Sequence, residues 1–217
     1  QYAEDAKLQF SEICFVSPLW GALWVEAPLS EYYWDLAAWE TNLRKRRDLL
    51  EKAQEAASDQ LKRAENSGYP EVIMFAHIEF SLILFSLATI ETSSEEKKGL
   101  LEKALGHRNE AIRINDQFVP FFYWYRGFNQ NHLATIKSEL ANLAEDPESK
   151  KNMLQEALLD KGDSLKLCIK HTTFWEGQGL VSSLLPVLGA WQYEYGGLFN
   201  RLYGFTNNKE HVKKAIG

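Results

Sequence analysis

The chain has 217 residues, enough for one large domain with a sizeable buried core. Hydrophobic residues make up 45% and charged residues 25%, which excludes disordered, collagenous and low-complexity classes. A net charge of −6 argues against non-specific nucleic-acid binding, which needs clustered Lys and Arg, and two cysteines, Cys14 and Cys168, imply no disulfide framework.

Helix signals dominate and strand-like alternation is nearly absent. The patterning predicts helices over 3–15, 19–26, 30–65, 70–91, 94–115, 119–144, 147–170, 174–194 and 206–216. Ser30 reads as the cap of a long pattern starting near Glu31, with a break near Thr41-Asn42. Asn66-Ser67-Gly68 ends that pattern, Gly68 suiting a left-handed terminus. Pro70 and Pro120 each open an apolar helix, where the missing N–H has no intrahelical partner anyway. Ser93 followed by Glu96 is a capping-box pattern, and Asp146-Pro147 reads as cap and first helical residue. The glycines and proline of 177–206 break or kink helices, so an irregular end is expected there.

A repeat runs through these elements. Leu49-Leu50-Glu51-Lys52-Ala53 recurs as Leu100-Leu101-Glu102-Lys103-Ala104 and, more weakly, as Met153-Leu154-Gln155-Glu156-Ala157. The later trios Gln60-Leu61-Lys62, Ala111-Ile112-Arg113 and Ser164-Leu165-Lys166 follow the same spacing. Each unit is an amphipathic helix, a short turn and a more apolar helix. The expected fold is all-α, an array of antiparallel helical hairpins with a period of about 51 residues. A single domain over 1–217 is expected: an irregular segment 1–29, repeats over about 30–176, and an irregular cap over 177–217.

The stretch 72–90 is apolar enough to resemble a membrane span, but His77 and Glu79 lie inside it. An unpaired carboxylate near the centre of a span is costly, so a buried core helix is the favoured reading and no span is expected. The chain begins at Gln1. Its compartment stays open, cytoplasmic or, if a signal segment preceded Gln1, periplasmic.

The run Ala111 to Gly127, through Asn115-Asp116, Pro120 and the aromatic Phe121-Phe122-Tyr123-Trp124-Tyr125, resembles a junction between tetratricopeptide repeats. Asp116 stands where that family has proline, and Gly127 falls one residue late. The resemblance implies a helical-hairpin superhelix with lengthened helices and a concave binding groove. Tyr123-Trp124 with Gly127 and Asn129 is also similar to the accessory lipoprotein of periplasmic tripartite transporters, itself built from divergent repeats of this kind.

Few motifs in the chain carry chemistry. No carboxylate lies three residues before any histidine, so a di-metal carboxylate bundle is disfavoured and no metal or cofactor is expected. No nucleophile elbow or phosphate loop occurs. Cys14 sits in an apolar context that suits an inert buried thiol, and the basic run Arg44 to Arg47 is partly neutralised by Glu40, Asp48 and Glu51. The informative feature is polarity inside apolar helices. Arg126, Asn129 and His132 border an apolar stripe, and His77 and Glu79 interrupt another. Buried polar groups either satisfy one another or line a cavity, where Trp124, Tyr125 and Trp175 would supply walls.

The expected function is a non-catalytic scaffold that engages a protein or peptide partner, or a small-molecule ligand, in its groove. Two alternatives stand beside it. One is a ligand-binding accessory protein of a transport system. The other is an enzyme using Glu79 and a histidine as an acid–base pair. The sequence leaves the oligomeric state open.

Overall fold

A computed structural model describes residues 27–118 and 123–176, together with residues 197, 198 and 201. Among them are six helices and no strand: α1 (Ala27–Trp39), α2 (Leu43–Ser67), α3 (Pro70–Ile90), α4 (Ser94–Phe118), α5 (Tyr123–Leu143) and α6 (Pro147–Glu176). The fold is all-α and built from antiparallel helical hairpins. The chain divides into two compact units, Gln1–Val119 and Pro120–Gly217.

The local signals set most of the boundaries. Asn42 caps α2, its side chain accepting from the N–H groups of Arg44 and Lys45 at 3.1 and 3.2 Å. The same helix ends at Gly68 with φ of 71°, and the Gly68 N–H reaches the Glu65 carbonyl. Pro70 begins α3 and Pro147 begins α6, where Asp146 accepts from the Ser149 N–H at 2.7 Å.

Ser93 accepts from the Glu96 N–H, but the reciprocal half of the expected capping box goes elsewhere. The Ser93 N–H donates to Glu91, two residues back. Ser30 is a correction. The helix starts three residues before it, and its hydroxyl is buried against Glu79 rather than capping. The expected break between 170 and 174 is also absent, because His171-Thr172-Thr173 offers neither proline nor glycine and α6 runs on to Glu176. The sequence elements at 3–15, 19–26, 177–194 and 206–216, Pro120, and Cys14 lie outside the described residues.

The repeated motif supplies the core. Leu50, Ala53 and Ala57 on α2, and Leu101 and Ala104 on α4, are all buried, as are Leu154 and Ala157 on α6. Spacings of three and four keep them on one helix face. In the first unit, Ala53 and Ala57 let α3 approach closely enough for Ile83 to pack between them, and Ala64 with Leu61 meets Val72 and Ala76. Ala37 of α1 joins Leu50 and Leu87. Each fully buried leucine or isoleucine contributes about 1.5–3 kcal/mol.

By length and composition α3 could cross a membrane. Its polar groups, however, find partners on neighbouring helices. Ser81 donates to the Ala104 carbonyl at 2.8 Å, and Ser86 accepts from the Trp34 indole N–H at 2.8 Å. In the second unit, α5 and α6 close on Ala134, Ala141, Leu154, Ala157, Leu158 and Leu198. Ser164 donates to the Gly127 carbonyl at 2.7 Å, and Arg201 donates to Ser138.

Candidate functional site

The polar residues inserted into apolar helices fall into two sets, one in each unit. In the first, α3 presents its polar groups in two directions. His77 is buried and faces α4, its Nδ1 lying 2.9 Å from Nδ1 of His107. One nitrogen must donate and the other accept, so the pair holds together only while the accepting ring stays unprotonated. Phe80 packs on the His107 ring at 4.6 Å. Burial first, and then the neighbouring His107, push His77 down to about 4, while Glu110 opposes the shift. Burial also lowers His107, with Glu65 opposing. Next to this pair, Arg108 is fully buried and donates to the Ile78 carbonyl at 3.2 Å; its burial brings it down to about 9.

Two residues along α3 is a rotation of about 200°, so Glu79 points away from His77. It is half-buried and accepts from Ser30 of α1 and Gln60 of α2. Burial pushes its carboxyl up to about 7 against those hydrogen bonds, and Glu31 adds to the rise. A carboxyl poised near neutrality suits acid–base chemistry in principle. Here its partners are the Ser30 hydroxyl and the Gln60 amide, and the histidine of α3 is bound to another histidine.

The second set lies on α5. Arg126 is half-buried, Asn129 is fully buried, and His132 is half-buried with its ring 4.6 Å from Phe128. Their spacing of three puts them along one side of the helix. Trp124 and Tyr125 fall in the first turn of α5 and Trp175 in the last turn of α6, but their side chains lie outside the described residues. Gln130 and Asn131 are also buried, at 9% and 6% exposure. Among the described residues, their side-chain oxygens, Oε1 and Oδ1, have no hydrogen-bond partner. Three successive amides are therefore buried around α5. On the side toward α6, Lys137 bridges Glu156 at 3.0 Å and Asp160 at 2.8 Å.

The candidates thus divide, with His77 and Glu79 in the first unit and Arg126, Asn129 and His132 in the second. Sequence reasoning missed His107, Ser30 and Gln60, which hold the first set, and Gln130 and Asn131, which extend the second. The last two were findable, since they sit between residues already singled out. The first three were not, because each is a partner contributed by a different helix. Among the described residues, no group of three or more His, Cys, Asp or Glu side chains is arranged to hold a metal.

No protein-family model matches the chain, and no curated protein matches it. Two solved structures are similar in fold. The "DHF58 filament" shares 17% identity at a TM-score of 0.49, covering 90% of this chain and 91% of its own. The de novo designed helical repeat protein DHR64 shares 18% at 0.45, covering 88% and 86%.

Proposed function

We propose that this protein is a non-catalytic binding protein of the helical-repeat kind, a lengthened relative in plan of the tetratricopeptide arrays. It holds a protein segment or a small ligand along α5, at Arg126, Asn129, Gln130, Asn131 and His132. The observation that carries this reading is the pair of buried amide oxygens on Gln130 and Asn131 that no donor among the described residues satisfies. A buried acceptor left without a donor costs about 1–3 kcal/mol. A helix that buries two of them on consecutive residues, about 100° apart, is suited to an occupant that brings N–H or O–H groups. The acid–base alternative has less support, because the Glu79 carboxyl is already engaged by Ser30 and Gln60.

Native mass spectrometry of the purified protein, repeated under denaturing conditions, tests the reading. A non-covalent adduct lost on denaturation identifies a small ligand, as an accessory protein of a transport system would hold. A bare mass with capture of a peptide identifies the scaffold form. In either case Arg126→Ala and Asn131→Leu weaken binding while the protein stays folded. A bare mass, no peptide capture, and a Gln130→Leu variant that only gains stability would refute the site.

A further inference from the structure

Helix α1 is apolar on two opposite faces, and among the described residues the other helices cover one of them. Inward, Tyr33, Trp34 and Ala37 pack against α2 and α3. Outward, Tyr32, Leu36 and Trp39 are 43%, 40% and 87% exposed. Their spacing of four and three places them in a stripe about 60° wide, roughly opposite the buried stripe. Leu43, the first residue of α2, is exposed as well. Single exposed apolar residues are ordinary, but a stripe at this spacing is the pattern that a second helix fits.

Glu31 and Asp35 run along one border of the stripe, one turn apart and both exposed. Like charges at this spacing disfavour the helix by a few tenths of a kcal/mol. Partial burial and then Asp35 push the Glu31 carboxyl up. Among the described residues neither acid forms an ion pair. No Lys or Arg occurs anywhere in α1.

We propose that the outward face of α1 is a docking surface for a basic amphipathic helix of a partner protein. Its apolar seam seats on Tyr32, Leu36 and Trp39, and its Lys or Arg flank pairs with Glu31 and Asp35. Charge decides against a second copy seated through its own α1, which would bring two more carboxylates and no cation. This surface is independent of the α5 site, so either can fail alone.

The test uses the full chain and two synthetic amphipathic peptides with the same leucine seam, one flanked by Lys and the other by Glu. Calorimetry reads binding, and hydroxyl-radical footprinting reads Trp39 separately from the other tryptophans. Trp39 is expected to be reactive in the free protein and protected by the Lys-flanked peptide. Binding of that peptide falls at least about tenfold in Trp39→Ala, in keeping with a buried aromatic anchor. A Glu31→Lys, Asp35→Lys double variant transfers the preference to the Glu-flanked peptide. Circular dichroism checks that these exposed substitutions leave the helices intact. Four results would each overturn the proposal: no binding, equal binding of the two peptides, a Trp39 already protected in the free protein, or a dimer in sedimentation that Trp39→Ala dissociates.

Discussion

Replacing Glu79 with Gln should stabilise the protein at alkaline pH and do little at acidic pH. Burial pushes the carboxyl up to about 7 in the fold, from an ordinary value of 4.5. A group raised on folding binds more protons in the native state than in the unfolded one. Its contribution is therefore fully present below pH 4.5 and is lost as pH rises through 7. That rise corresponds to about 3 kcal/mol. Residual solvent access to a half-buried side chain reduces this, so the gain for Glu79→Gln is about 1–3 kcal/mol at pH 8.5. The amide keeps an oxygen to accept from Ser30.

For a chain of this length that gain is a rise of roughly 2–10 °C in Tm, against about a quarter of it at pH 5. The assay is a thermal melt of both proteins across that range. The difference between them is the quantity to read, because the wild-type curve alone mixes opposing effects. His77 and His107 are both lowered on folding, so they lose stability as pH falls below their unfolded value. A Tm difference that stays constant between pH 5 and 8.5 would refute the raised carboxyl. It would also dissolve the idea that burial outweighs the Ser30 and Gln60 hydrogen bonds.

Two glycine substitutions should move stability in opposite directions. Gly68→Ala forces a side chain into φ of 71° and costs about 1 kcal/mol, whereas Gly106→Ala in the middle of α4 meets nothing within 4 Å and gains about 0.5–1 kcal/mol. Denaturant unfolding of the two variants beside the wild type checks both signs. The Glu91 carboxylate accepts from the Ser93 and Thr92 N–H groups and from Arg47 at 2.6 Å, which together hold it down to about 2. An NMR titration should place its midpoint there. In Arg47→Ala the midpoint should rise only part of the way to 4.5, because the two backbone donors remain.

The sequence carried the helix hairpins well because their signals are local. The repeated Leu-x-x-Ala stripe, the break near Thr41-Asn42, the cap at Asp146, the left-handed Gly68 and the prolines at 70 and 147 all act within a turn or two. Its failures share a cause. Ser30 has the identity and position of a cap, yet its hydroxyl binds Glu79, 49 residues away. Glu96 has the spacing of a capping box, yet Glu91 reaches the Ser93 N–H first because it is already fixed by Arg47. In both cases a tertiary partner outcompetes a local one, and no window of a single helix contains that partner.

The same limit explains why one signal, a polar residue in an apolar helix, has two outcomes. The hairpins α3–α4 and α5–α6 share a register: Pro70 and Tyr123 open the first helix of each, Ser94 and Pro147 the second, both pairs 53 residues apart. Carried across that interval, His77 corresponds to Gln130 and His107 to Asp160. In the first hairpin the two positions hold a donor and an acceptor, and they bind each other at 2.9 Å. In the second, the residue at the position corresponding to His107 is a carboxylate, which Lys137 binds at 2.8 Å. The corresponding pair therefore does not form among the described residues, where Gln130 Oε1 has no partner. Donor and acceptor balance across the hairpin, rather than polarity within one helix, thus decides whether a buried polar residue closes an internal latch.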